Sequence, residues 1–102
     1  MISFQEKVWQ ATAKIPRGKV STYGLIAKAI KNPLASRAVG QALHCNPHWP
    51  KVPCHRVVRG TGEIGGFASG SKKKITLLRQ EGIEIENGRI LNLKYYLYSF
   101  AK

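Results

Sequence analysis

The sequence contains no aspartate and only five glutamates, whereas lysine and arginine together number seventeen. The net charge of +12 on 102 residues causes strong self-repulsion. A surface that only has to be solvated does not need so large a charge. A polyanionic partner explains this excess. The lack of a basic amphipathic helix favours nucleic acid over an anionic lipid surface.

Long apolar runs and cysteines are also scarce. No segment approaches the roughly 18 apolar residues of a membrane span, and the first residues lack the basic-then-apolar order of a signal peptide. We therefore expect a cytoplasmic protein, associated with the nucleoid in a prokaryote. Two cysteines, Cys45 and Cys54, are too few for a disulfide scaffold. In a reducing compartment either could serve as a nucleophile or a metal ligand.

Helix signals occupy the first half of the chain. Ser3 and Glu6 form a capping box, and the apolar spacing predicts a helix over 3–15. Thr22 caps a second helix over 23–30, and a third follows over 34–44. A tight Asn32-Pro33 turn between two such helices fits a helix-turn-helix.

The second half contains shorter elements. Val57-Val58 predicts a strand after a rigid, proline-rich loop over 46–53. Ser71 predicts the N-cap of a helix through Gln80, and Asn87-Gly88 predicts a type I′ turn in a hairpin over 83–91. With 43% hydrophobic residues, the chain is expected to form one domain, mainly α with short β elements and winged helix-turn-helix-like.

Three regions point to DNA or to packing. The third helix carries small residues around Arg37, including Ala38 and Gly40, which permit close backbone approach to a groove or to a neighbouring helix. The lysines of 72–74 oppose the dipole of the helix that they begin, which indicates a role in holding phosphates. The tyrosine-rich tail over 95–98 favours packing over base stacking.

Cys54 stands between Pro53 and His55. A neighbouring imidazole can activate a thiol, but adjacent side chains cooperate only across a turn, which Pro53 allows. A carboxylate that orients His55 would complete a relay, and Glu81 is the best candidate. A buried structural cysteine remains an alternative.

A zinc site is the other alternative, because five potential ligands fall within a short segment. They are His44, Cys45, His48, Cys54 and His55. Prolines at 47, 50 and 53 stiffen the loop that would have to wrap the ion.

The segment from Pro53 to Val58 resembles the active-site signature of the O6-alkylguanine-DNA alkyltransferases, also called methylated-DNA–protein-cysteine methyltransferases. The resemblance continues in order along most of the chain, through Phe4-Gln5, Val8-Trp9-Gln10, Ile15-Pro16, Gly18, Tyr23-Gly24, Arg37-Ala38-Val39-Gly40, Asn46-Pro47, Gly65-Gly66-Phe67, Leu77-Leu78 and Glu81-Gly82.

The resemblance implies direct, single-turnover repair in which Cys54 accepts an alkyl group from the O6 of guanine in double-stranded DNA. A water held by His55 would take the thiol proton, Glu81 would orient His55, and Asn46 would brace the loop. Neither a metal nor an organic cofactor is expected, and the protein is expected to act as a monomer.

The resemblance also implies how DNA is bound. The helix-turn-helix would enter the minor groove, Arg37 would fill the space of the extruded guanine, and Tyr23 would press on the backbone phosphate. The predicted DNA contacts are Tyr23, Arg37, Ala38, Gly40, Arg56, Lys72 and Lys73. The predicted pocket for the flipped base consists of Tyr23, Pro53, Cys54, Val57, Phe67, Ala68 and Ser69.

Two departures keep alternatives open. Many relatives carry an additional N-terminal domain, whereas residues 1–102 are expected to form only the DNA-binding, active-site domain. Phe67-Ala68 replaces a tyrosine and a hydroxyl residue, which removes one neutral hydrogen bond worth about 1 kcal/mol. Single-domain length also resembles the alkyltransferase-like proteins, which recognise damage without transferring the alkyl group. A plain architectural DNA binder is the third hypothesis.

Overall fold

The computed structural model of the chain describes residues 2–65 and 70–100. Within these residues lie helices α1 (Phe4–Ala13), α2 (Tyr23–Ala29), α3 (Ser36–His44), α4 (Ser71–Gln80) and α5 (Leu93–Tyr96), with a 3₁₀ turn at Cys54–Arg56. The strands are β1 (Ser21–Thr22), β2 (Val57–Val58), β3 (Ile85–Glu86) and β4 (Arg89–Ile90). The predicted class, mainly α with short β elements, is confirmed.

The capping signals act as the sequence predicts. The Glu6 amide donates to Ser3 Oγ at 3.1 Å, and the Ser3 amide donates to Glu6 Oε1 at 3.2 Å. The Leu25 amide donates to Thr22 Oγ1 at 3.1 Å, so Thr22 caps α2. Helix α1 nevertheless ends at Ala13, two residues before the predicted end.

Helices α2 and α3 form the predicted helix-turn-helix. Lys31 adopts a left-handed conformation with φ 66° in the connection, where α2 has already ended. Helix α3 begins at Ser36 rather than at 34, since Leu34 is almost fully exposed and Ala35 is the N-cap. Of the small residues, Ala42 is buried, which fits the packing role, whereas Ala38 is exposed; close approach of Ala38 to a DNA groove stays a prediction.

Two short sheets place the second half against the first. Strand β1 pairs in parallel with β2, Ser21 opposite Val57, which brings the start of α2 beside the 3₁₀ turn. Strands β3 and β4 are antiparallel, and Asn87 and Gly88 between them have φ 53° and 74°. Positive φ at both positions is what a type I′ turn requires, so the predicted hairpin is confirmed.

The apolar interior has two parts. One lies among α1, α2 and α3; its buried residues include Val8, Ile15, Ile26, Val39 and Leu43. The other lies between α4 and the hairpin; it includes Val20, Val58, Leu78, Ile83, Ile85 and Ile90. The 3₁₀ turn at Cys54–Arg56 therefore sits between them, since Val57 packs in the first part and Val58 in the second.

The tyrosine-rich tail mostly packs, as predicted. Tyr96 is buried in the second core part, and Tyr98 packs against the first. The tail is held by Val20, whose amide donates to the Tyr96 carbonyl at 2.9 Å and whose carbonyl accepts from the Tyr98 amide at 2.8 Å. Tyr95 differs, because it is largely exposed and lies under the ammonium group of Lys19.

The start of α4 corrects two predictions. Ser71 is the first helical residue and not the N-cap; Gly70 holds that place with φ 99°, a conformation that glycine adopts without strain. Of the three lysines, Lys72 and Lys73 are exposed, whereas Lys74 is completely buried. Lys74 therefore faces the interior rather than a phosphate. Among the described residues, no helix is long and apolar enough to cross a bilayer.

Candidate active site and DNA-binding surface

Cys54 lies at the start of a tight turn. Pro53 has φ −80° and ψ 71°, and the Cys54 amide donates to the Val52 carbonyl at 2.8 Å, which is an inverse γ-turn. The 3₁₀ turn follows, and it separates adjacent side chains: Cys54 is half-buried, whereas His55 is only 3% exposed. The turn that Cys54 and His55 need in order to cooperate, which the sequence predicted at Pro53, is therefore present.

Glu81 connects the turn to the end of α4. Its Oε2 lies 2.8 Å from His55 Nε2, so the structure brings together the two residues that the sequence paired. Arg56 binds the same carboxylate through two hydrogen bonds, Nε to Oε1 and Nη2 to Oε2, both 2.8 Å. Arg56 also donates to the Ile15 carbonyl at 2.8 Å. This geometry corrects the prediction that Arg56 contacts DNA, because its guanidinium is directed inward.

Burial is the strongest influence on the ionisation of both partners. It lowers the pKa of His55; the hydrogen bond and charge of Glu81 oppose this, and the charges of Arg56 and Lys74 reinforce it. Burial also acts to raise the pKa of Glu81, but hydrogen bonds from Arg56 and His55 outweigh it and leave that pKa below its ordinary value. At neutral pH the pair is therefore a neutral imidazole beside a carboxylate.

Lys74 supplies a buried positive charge that is electrostatically coupled to Cys54. Its Nζ donates to the Val57 carbonyl at 2.6 Å and lies 5.8 Å from the centre of the Tyr23 ring. Burial lowers the pKa of Lys74 to about 8; the charge of ionised Cys54 opposes this and that of Arg59 adds to it. The side chain of Lys74 is therefore electrostatically coupled to that of Cys54.

The loop before Cys54 is braced by Asn46. Its Nδ2 donates to the Val52 carbonyl at 2.7 Å, and its Oδ1 accepts from the His48 amide at 2.9 Å. These bonds fix the two ends of the loop, which agrees with the bracing expected of Asn46. The loop also carries Trp49, whose indole Nε1 donates to His55 Nδ1 at 3.2 Å. Trp49 was not among the predicted site residues, because no sequence motif links it to His55, six positions away.

A surface cleft joins the helix-turn-helix to the turn that follows β2. It has a volume of about 650 Å³, and its lining includes Tyr23, Arg37, Gly40 and Arg59. Arg37 is exposed on α3, and the Tyr23 ring lies against Gly40, where an added Cβ would be 3.8 Å from it. Tyr23 and Arg37 thus line the same cleft, and Arg59 is a further cation there that was not among the predicted site residues.

The predicted base pocket is described only in part. Pro53 and Val57 are buried on either side of Cys54, and the Val57 carbonyl already accepts from Lys74. The predictions for Phe67, Ala68 and Ser69 lie outside the described residues.

The alternative zinc ligands point in different directions. His48 packs against the Trp9 ring, His55 is bound by Glu81 and Trp49, and Cys45 is exposed. Across residues 2–65 and 70–100, no group of three metal-ligating side chains converges.

The profile of a known family matches this chain. It is described as 6-O-methylguanine DNA methyltransferase, DNA binding domain, and it covers residues 3–83. The chain belongs to this family. The predicted resemblance is thereby confirmed, and it covers the helix-turn-helix, the Cys54 turn and Glu81.

Curated relatives share the sequence of this domain. The methylated-DNA–protein-cysteine methyltransferase of Methanosarcina acetivorans is 53% identical over 79 residues, which are 78% of this chain and 51% of that protein. The protein of the same name from Salmonella typhimurium is 48% identical over 79 residues, 78% of this chain and 46% of its own length. This chain thus spans about half the length of the curated relatives it matches.

Solved structures share the fold. S. pombe Atl1, in complex with damaged DNA containing O6-carboxymethylguanine, matches with a TM-score of 0.84 and 39% identity, over 97% of this chain and 99% of that one. Mycobacterium tuberculosis OGT in complex with DNA matches with a TM-score of 0.77 and 43% identity, over 80% of this chain and 50% of that one. Atl1 is similar to this chain along its whole length, and OGT is similar along half of its length.

Proposed function

We propose that this chain repairs O6-alkylguanine in double-stranded DNA by taking the alkyl group onto Cys54, once per molecule. The observation that carries the proposal is the half-buried Cys54 at the start of the 3₁₀ turn, directly followed by His55, whose Nε2 lies 2.8 Å from the Glu81 carboxylate. The buried cation Lys74 is electrostatically coupled to Cys54 as well. The thiolate is the nucleophile in such displacements, and a neighbouring cation and an imidazole–carboxylate pair are groups that enzymes use to activate a thiol.

The proposed reaction is a displacement at the alkyl carbon. The thiol proton passes through a water to His55, and the sulfur forms a carbon–sulfur bond while the carbon–O6 bond breaks. The electron pair remains on guanine, which takes up a proton and is restored. A thioether has no easy reversal, so the protein is consumed in the reaction.

The base must leave the helix before the thiol can reach it, which costs a few kcal/mol. The exposed Arg37 on α3 and the Tyr23 ring share one cleft, which supports a role for both in extrusion. The exposed Lys72 and Lys73, together with the net charge of +12, support binding to phosphates. We propose minor-groove docking of α3, whose exposed Ala38 and half-exposed Gly40 allow close approach.

A non-catalytic damage sensor is the second candidate. The similarity to S. pombe Atl1 along the whole length of both chains favours it. The retained Cys54, with His55 and Glu81 in hydrogen-bond contact, favours transfer instead. A sensor would bind the lesion and leave both the thiol and the alkyl group unchanged.

Intact mass decides between these functions. The protein is incubated with a stoichiometric duplex containing O6-methylguanine; we expect a mass gain of one methyl group, located on the peptide that contains Cys54, and restored guanine in the DNA. A mass and a lesion that both remain unchanged, in a protein that binds the duplex, would establish the sensor.

The two cysteines provide matched controls. Cys54→Ser should bind the lesion and acquire no methyl group, because the nucleophile is removed while the turn is kept. Cys45→Ser should be methylated to the same extent as the protein without substitutions, since Cys45 is exposed at the end of α3. Methylation of Cys54→Ser, or its loss in Cys45→Ser, would contradict the assignment of the acceptor.

A further inference from the structure

Both ring nitrogens of His55 are engaged in the DNA-free protein. Nε2 lies 2.8 Å from Glu81 Oε2, and Nδ1 lies 3.2 Å from Trp49 Nε1. An indole N–H only donates, so Nδ1 must be the accepting nitrogen and carry no proton. The Glu81 carboxylate only accepts when ionised, so Nε2 carries the proton. The two contacts therefore select one tautomer of a neutral ring.

This tautomer has a consequence for proton transfer. A neutral imidazole has a single basic lone pair, and here it is the one on Nδ1. Any proton that leaves Cys54 for His55 must therefore arrive at Nδ1. That lone pair already accepts from Trp49, so a water that links the thiol to Nδ1 would have to displace the indole N–H.

We propose that Trp49 is a positioning residue that fixes the tautomer of His55 and occupies its basic nitrogen until the alkyl-transfer step. The inference rests on the function proposed above, and it assigns to Trp49 control over when His55 can accept the proton of Cys54. Trp49 does not touch the thiol; it acts through His55.

The surroundings of both rings support this assignment. Three charged groups act on His55: the Glu81 carboxylate at 2.8 Å, the Arg56 guanidinium and the Lys74 ammonium. Arg56 holds the Glu81 carboxylate through two hydrogen bonds and Lys74 is completely buried, so the partly exposed Trp49 is the partner of His55 that can move most easily. The Trp49 ring is 41% exposed, and the Lys73 ammonium lies 5.9 Å from its centre. A phosphate that attracts Lys73 would weaken this second contact and ease release of the indole.

The unmodified protein offers the first test, because it contains only two tryptophans. When acid protonates Nδ1, this nitrogen can no longer accept from Trp49. In a ¹H–¹⁵N NMR titration, the Trp49 indole proton should therefore shift with the same midpoint as the His55 ring protons. The Trp9 indole donates to the Ala42 carbonyl at 2.9 Å and should not follow. A Trp49 indole proton that ignores the titration of His55 overturns the proposal.

The second test removes only the donor. Trp49→Phe retains a ring and loses the N–H, and Trp9→Phe is the matched control in which an indole hydrogen bond is lost elsewhere. With Nδ1 free, Cys54 in DNA-free Trp49→Phe should react roughly fivefold faster with iodoacetamide, the factor expected for one neutral hydrogen bond. The midpoint of His55 should rise, since a donor to its neutral form is gone. Trp9→Phe should change neither value.

A slower or unchanged reaction of Cys54 in Trp49→Phe overturns the proposal. Trp49→Leu gives a second measurement without the donor, and the exposure of Trp49 means that little of the core depends on the ring. Failure of the proposed function is distinguishable, because it is measured by methyl transfer from DNA. Both tests of Trp49 are made without DNA and report only on His55 and Cys54.

Discussion

The two cysteines lie nine positions apart in very different surroundings. Cys45 is exposed at the C-terminal end of α3. Cys54 is half-buried on the 3₁₀ turn, next to a histidine bound to a carboxylate, and close to a buried lysine. The covalent group is the same in both places, so any difference in reactivity must come from the neighbouring groups.

This difference can be measured within one molecule. The rate of alkylation of Cys54 divided by that of Cys45, followed with iodoacetamide and peptide mass spectrometry, cancels errors in concentration and reagent. We call this value the thiol ratio. Substitutions that remove the surroundings of Cys54 should lower the ratio, and substitutions on the DNA-binding surface should leave it unchanged.

Glu81→Gln should have the largest effect. The carboxylate binds His55 and Arg56, and the Glu81 side chain is only 6% exposed, so the change leaves a half-buried guanidinium without its counter-charge. Breaking such a pair costs about 3 kcal/mol of stability. His55 also loses the carboxylate that stabilises its protonated form, so the thiol ratio should fall by at least about tenfold. Urea unfolding and the iodoacetamide assay measure the two effects.

The pH dependence of this stability effect has a definite sign. Because the pKa of Glu81 is lowered in the folded protein, the stability that its ionised carboxylate contributes is fully present above pH 4.5, its ordinary pKa. This stability is lost as the pH falls through the lower pKa that Glu81 has in the folded protein. The difference in unfolding free energy between the unmodified protein and Glu81→Gln should therefore shrink in acid. The exposed Glu84→Gln is the control. A difference that stays constant down to the lowest pH would refute the ion pair as its cause.

Lys74→Met should have a smaller effect on the thiol ratio. The change removes a cation near Cys54 and keeps a long apolar side chain, so we expect roughly a fivefold decrease at pH 7. The decrease should fade as the pH rises through about 8, where Lys74 loses its charge in the folded protein. Lys72→Met removes an exposed charge from the same helical turn and should leave the ratio unchanged. An equal effect of the two substitutions would mean that only the general positive field matters.

Lys74 also makes a prediction about stability. Its pKa is about 8 in the folded protein and 10.5 ordinarily, so between these values only the unfolded chain holds the proton. The unfolding free energy of the unmodified protein should therefore rise relative to Lys74→Met as the pH increases from 8 to 10.5. A fall over this range would contradict the burial of the ammonium group.

Local rules explain what the sequence predicted correctly. The cap at Ser3, the cap at Thr22 and the turn at Asn87-Gly88 each depend on residues at most three positions apart. Such signals are complete within a short segment, so they can be read without knowing the fold. The assignment of Glu81 to His55 did not come from such rules, because 26 positions separate them; it came from the chemistry of a nucleophile–base–carboxylate relay and was then supported by the family resemblance.

The errors concern partners that are distant in sequence. Arg56 pairs with Glu81, 25 positions away, and donates to Ile15, 41 positions away. Arg56 was predicted to contact DNA, since the sequence does not show which cations meet an internal carboxylate. Lys74 was more predictable: it lies one helical turn before the buried Leu78, so the helical period places it on the inward face.

Arg37→Ala should leave the thiol ratio unchanged and reduce repair of duplex DNA. Arg37 is exposed on α3 and lies in the cleft with Tyr23, away from the hydrogen bonds of His55 and Glu81. If it fills the space of an extruded guanine, its loss should slow methyl transfer from a duplex several-fold. Transfer from a single-stranded oligonucleotide should hardly change, because there the base is already unstacked. Single-turnover kinetics on the two substrates measure this difference.

Lys31→Ala is the matched control for Arg37→Ala. It removes the same charge from an exposed residue that lines a separate cavity with Tyr98. Both substitutions weaken the attraction of the whole protein to DNA, so both should slow transfer slightly at low salt. Only Arg37→Ala should retain a defect on duplex DNA at saturating protein, where binding no longer limits the rate. If the two variants are equally fast on duplex DNA at saturating protein, Arg37 acts only through its charge and does not help to extrude the base. The cleft would then provide only a phosphate contact.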